Sequence, residues 1–246
     1  MQNNKAATIA IAGLALLAVA GTARHALAQD AATAYPKMAP VEQYLMDRDA
    51  EIALARSAAP DAISHDASVI VLTRHGYETA VEGRNGWVCW VGRGWMGMFD
   101  HPEFWNPKVR AAECINPPAV RSVLPYAYKR AELILAGHSK QEIIAQIKAA
   151  IDKKELPALE PGTVSYMMSK SSYLSDYGGH NMPHMMFYRA EDGSAWGANL
   201  ANSPVMAVNY WCISAEAYPQ LKTFPPMSVF LIGAEKWSDG TPSPAM

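Results

Sequence analysis

Hydrophobic and polar positions change period several times along the chain, and each change predicts an element. Val41, Tyr44, Leu45, Arg48, Ile52 and Ala55 recur at helical spacing, with Glu42, Asp47, Asp49 and Glu51 on other faces. One N-terminal helix is therefore expected from Pro40, stopping before Pro60. Val69-Ile70-Val71-Leu72 is a β-branched run, and Tyr77, Thr79 and Val81 then alternate with Glu78, Ala80 and Glu82. Asn85-Gly86 signals a tight hairpin before Trp87-Val88-Cys89-Trp90-Val91. Together these predict an antiparallel meander over about 68–92. Residues 92–118 hold no clean period and predict a long irregular segment.

Helical spacing returns after that. Val123, Leu124, Ala127, Ala131, Ile134 and Leu135 form one apolar side over 120–136, with Pro125 kinking the helix or shifting its start. Gly137 stops it. Ser139 and Glu142 then make a capping box for a second helix carrying Ile143, Ile144, Ile147 and Ile151. This helix hairpin, about 120–154, is expected against the sheet. Strands follow near 164–168, 184–189 and 228–233, the last central because both its faces read apolar. Strands, then helices, then strands predict α+β.

The first residues read differently. Lys5 precedes an apolar run over 6–21, and Ala26-Leu27-Ala28 ends it with the small-x-small pattern of a cleavage site. The expectation is a signal peptide over 1–28, a linker over 29–39, one domain over 40–240 and a flexible tail over 241–246. The protein is then periplasmic or secreted, soluble, and without a membrane span after the signal is removed. The leader carries Lys5 and Arg24 and no acid, so 21 basic and 23 acidic residues become 19 and 23, a formal charge of −4. With no basic excess there is no electrostatic case for nucleic acid.

Export changes the reading of Cys89, Cys114 and Cys212. An oxidising compartment favours one disulfide among three cysteines. Cys89 with Cys114 closes the shorter loop and staples the Pro/Asn-rich stretch, leaving Cys212 as a buried thiol.

Three sets of residues carry candidate chemistry. Gly178-Gly179-His180-Asn181-Met182-Pro183-His184 brings two histidines together before an apolar strand. Neutral imidazoles bind Zn or Cu. Pro183 and the glycine pair exclude the helical i, i+4 chelate, so only a bent loop unites His180 and His184, with Asp176, His75, His101 or Met182 as a third ligand. Without metal, the same run forms a pocket wall with Asp176 and Tyr188. Trp87, Trp90, Trp95, Phe99, Phe104 and Trp105 form an aromatic cluster that is core first, with Trp87 and Trp105 as candidate ligand contacts.

The third set is Val69-Ile70-Val71-Leu72-Thr73-Arg74-His75-Gly76 with Glu78-Thr79, which resembles the histidine phosphatase signature. The resemblance implies His75 as phosphate-accepting nucleophile, Arg74 as phosphate clamp and His138 as the second histidine. Tyr77 is inserted between Gly76 and Glu78, and the alternation predicts strands where that family has a helix. More broadly, Ala55-Arg56-Ser57-Ala58-Ala59-Pro60, Gly76-Tyr77 and Asn85-Gly86-Trp87-Val88-Cys89 are similar to exported bacterial proteins of uncharacterised function, which implies export and an α+β fold but no activity. The readings rank as follows. A non-enzymatic protein binding a small molecule or an extracytoplasmic protein comes first. A metal-binding protein or metalloenzyme using His180 and His184 comes second, and His75 phosphoryl transfer third.

Overall fold

The computed structural model describes residues 35–176 and 182–243. The expected signal peptide, most of the linker and His180 lie outside the described residues. Within them the fold is α+β, with one mixed, mostly antiparallel sheet of eight strands. Chain order gives α1 (Arg48–Arg56), α2 (Asp61–Ser64), β1 (Ser68–Thr73), β2 (Gly76–Val81), β3 (Val88–Gly92) and β4 (Ala111–Ile115). Then come α3 (Pro117–Ser122), α4 (Leu124–Leu135), α5 (Lys140–Asp152), β5 (Val164–Met167), β6 (His184–Arg189), β7 (Met206–Asn209) and β8 (Ser228–Gly233). The strand order is β2-β1-β3-β4-β5-β6-β8-β7.

The expected meander is corrected. β1 and β2 form the antiparallel hairpin, but β3 pairs with the far side of β1, and that pairing is parallel. Asn85-Gly86 makes no two-residue hairpin, because that turn needs positive φ at both residues and only Gly86 has it. Asn85 instead donates to the Ile63 carbonyl and accepts from the Trp87 N–H. The chain crosses over the start of β1 at Gly83, where an added Cβ would lie 2.1 Å from the Ser68 nitrogen. Only glycine permits that approach.

Three further expectations are redrawn. The single N-terminal helix divides into a 3-10 turn (Val41–Gln43) and α1. Asp47, at ψ 137°, leaves the helix and caps α1 through the Ala50 N–H. The irregular segment contains β4, and β7 supplies an edge strand beyond β8, which is flanked on both sides. The helix over 120–136 breaks at Val123, and Pro125 stands in the first turn of α4, where its missing N–H costs nothing. The Ser139–Glu142 capping box forms at the start of α5.

Alternation sends the central strands to two cores. Ile70, Leu72, Val88, Trp90 and Ile115 share one cluster with apolar residues of α4 and α5. Val69, Cys89, Val91, Ala112 and Cys114 share the other with Ala55 of α1. Cys89 and Cys114 face each other in the β3–β4 ladder and form the disulfide, and Cys212 is a buried free thiol. Among the described residues no helix is long and apolar enough to cross a membrane.

Candidate functional site

β4 reads as a poor strand, yet its register builds the site. Ala112 and Cys114 point to the α1 side, so Glu113 points to the other, directly opposite Trp90 of β3. There it lines a cavity of about 340 Å³. Aliphatic and sulfur side chains dominate the walls, among them Ile115, Leu124, Met167, Met186 and Val229. Glu113 keeps some accessible surface because it faces this hollow, although protein surrounds it.

The polar groups converge from several elements. The Tyr188 hydroxyl of β6 donates to Glu113 Oε1 at 3.2 Å and lies 3.3 Å from the Ser165 hydroxyl of β5. Burial raises the Glu113 carboxyl above its usual range, against the lowering effect of its hydrogen-bonding neighbours. Burial, and then the Glu113 charge, raises the Tyr188 phenol further. The Trp90 indole N–H lies near the carboxyl but outside hydrogen-bond geometry, and among the described residues it has no acceptor. Glu103, 1% exposed, also lines the cavity. Its Oε1 accepts the Asp176 N–H at 2.7 Å, while among the described residues its Oε2 has no donor.

The rim is the irregular segment after β3. A buried loop must satisfy its backbone polar groups, and side chains of α4 and α5 do this. Arg130 Nη1 donates to the carbonyls of Trp95, Met96 and Gly97 at 3.1, 3.1 and 2.7 Å. Lys140 Nζ donates to the Phe99 carbonyl at 2.9 Å. His101 Nδ1 accepts the Glu103 N–H at 3.2 Å, which places the neutral ring's proton on Nε2. Burial lowers the His101 pKa. His101 also lines a second hollow, a cleft of about 620 Å³ that includes Trp105, His138, Lys140 and Tyr218.

No protein family, no curated protein and no solved structure matches this chain.

The sequence candidates are spread over the molecule. Tyr188 lines the cavity, and Trp105 and His138 line the cleft. Trp87 packs on Tyr166, ring centroids 5.6 Å apart, on the α1 side. Asp176 anchors the rim. Lys108 reaches its carboxylate at 3.0 Å, and the Tyr173 and Tyr35 hydroxyls donate to it. The Tyr173 hydrogen bond, then that of Tyr35, holds the Asp176 pKa down to about 2. His184 opens β6, and its Nδ1–H donates to the Met182 carbonyl at 2.7 Å, leaving Nε2 with the lone pair. Burial lowers the His184 pKa. Arg74 and His75 form the exposed β1–β2 turn, where Arg74 pairs with Glu42 and the His75 N–H donates to Thr73 Oγ1. Neither lines the cavity or the cleft. Among the described residues no three His, Cys, Asp or Glu side chains gather as a metal-ion set. No period or motif in the sequence marks Glu113, Glu103 or Lys140 as functional. The one available signal was a carboxylate inside a short Ala/Cys/Ile run.

Proposed function

We propose that this protein is exported and is a non-enzymatic binder of a small, mainly apolar molecule with one polar head. The observation that carries the reading is Glu113, a carboxyl set among mainly apolar walls. Cavities of this size, with few polar groups among apolar walls, are the ordinary form of a ligand site. The unpartnered atoms define the head. Among the described residues Glu103 Oε2 lacks a donor and Trp90 Nε1 lacks an acceptor, and leaving such groups buried and unpaired is costly. A head that both donates and accepts, a hydroxyl or a primary amide, satisfies both. An ionised carboxylate would face two glutamates.

Calorimetry with hexanol, hexanamide and hexanoate tests this. The alcohol and the amide bind and raise the melting temperature, and hexanoate does neither. Ala127, buried in the α4 wall, becomes Phe in a variant that fills the cavity and loses binding. Equal binding of hexanoate, or unchanged binding by Ala127→Phe, counts against the reading.

A second reading is metal binding at His184. Its Nδ1–H···O=C bond to Met182 supports it, because this is the arrangement that frees Nε2 for a metal. Zinc titration of the wild type and of His184→Ala tests it, with lost stoichiometric binding as the expected result.

A further inference from the structure

We propose that Lys140 is a nucleophilic amine and that the cleft around it takes small aldehydes, held as an imine. This site is distinct from the Glu113 cavity, and the two linings share only His101.

The cleft lies between residues 35–38, the segment around Asp100 to Trp105, the link from α4 to α5, and Tyr218. Lys140 is the first residue of α5. Its Nζ donates to one acceptor, the Phe99 carbonyl, and stands 4.3 Å from the Phe104 ring centroid and 6.0 Å from those of Trp105 and Tyr218. Among the described residues it has no carboxylate within ion-pair distance. Asp100 lies nearby, but its two oxygens accept the Ile213 and Ser214 N–H groups at 2.7 and 2.6 Å.

An ammonium here has lost much of its water without gaining a paired anion. It also sits at the positive end of α5, which disfavours a cation. Burial brings the Lys140 pKa down to about 8, with Asp100 opposing the shift. The neutral amine that carbonyl addition needs is therefore accessible near neutral pH.

The chemistry balances without a redox partner. The Nζ lone pair adds to the carbonyl carbon, and the C=O π pair moves to oxygen. One proton passes from nitrogen to that oxygen, and loss of water then forms C=N. His138 lines the same cleft and offers an imidazole that can relay the proton. Met38, Trp105, Ile134 and Tyr218 favour a flat, apolar body.

The test treats the full chain with benzaldehyde and cyanoborohydride across a pH series and maps N-benzyl-lysine by peptide mass spectrometry. Lys140 is expected to react on the order of tenfold or more faster than any other lysine at neutral pH. Its rate reaches half-maximum near the pKa of about 8. Lys140→Arg, which keeps the charge, removes that adduct. Should the variant misfold, the wild-type pH profile decides alone. Labelling spread evenly over the lysines, or a Lys140 rate that rises only near pH 10, the range of an ordinary lysine, overturns the proposal.

Discussion

Ionising Glu113 would place a charge among Ile115, Met167, Met186 and Val229 with only neutral hydrogen-bonding groups around it. Its folded pKa therefore lies above its unfolded one. A carboxyl raised in this way contributes stability that is fully present below the unfolded pKa and lost as pH rises through the folded pKa. Urea midpoints measured from about pH 4 to about pH 9 should fall for the wild type relative to Glu113→Gln as pH rises. Parallel curves for the two proteins would remove the titration from Glu113. The same residue marks a limit of legibility. Tyr188 was readable as a wall residue because it sits in an apolar strand. Glu113 was not, because a carboxylate beside alanines reads as solvated, and only the register opposite Trp90 turns it inward. Asp47 likewise read as part of a polar helix face, but a short acidic side chain competes for backbone N–H groups, and here it caps.

Between elements, α1 is tied to the sheet by a buried ion pair. Glu51 Oε1 meets Arg93 Nη2 at 2.9 Å, with both side chains at most 1% exposed. Glu51 Oε1 also accepts the Leu72 N–H at 3.1 Å, and Arg93 Nε donates to the Tyr44 carbonyl at 2.7 Å. Removing one partner strands the other charge, so Arg93→Met should cost about 3–5 kcal/mol in urea denaturation. The double variant Glu51→Leu/Arg93→Met should cost less than Arg93→Met alone, because no charge is left unpaired. The Cys89–Cys114 disulfide closes a sequence separation of 25 residues. Reduction or Cys89→Ala/Cys114→Ala should cost about 3 kcal/mol on the chain-entropy account. The periodic elements were legible: β1, β2, β3, β5, β6, β8 and α5 all follow from alternation, apolar runs or capping. The pairing of β3 was not, because strand order depends on where Gly83 lets the chain cross, and no period encodes that. β4 and β7 escaped because Ala, Glu and Asn are weak strand formers held by their neighbours.

Across the whole molecule the two faces of the sheet are treated differently. The α1 face is closed by small residues and a disulfide. The opposite face keeps a hollow of about 340 Å³ beneath the α4 wall. Sealed and dry, a void of that size would cost about 8 kcal/mol at ~24 cal/mol per Å³, comparable with the whole stability of a domain. The retained space is the feature on which the proposed binding role rests. Stability and binding should therefore move in opposite directions. Ala127→Met adds apolar volume to the cavity from α4, in a side chain flexible enough to fit its shape. Each methylene that it buries contributes about 0.8 kcal/mol, so the ligand-free variant should melt higher than the wild type. Its affinity for hexanol should fall in the same preparation. A variant that gains stability with unchanged hexanol affinity would place the alcohol elsewhere. One that loses stability would show that the walls, rather than the space, are already optimised.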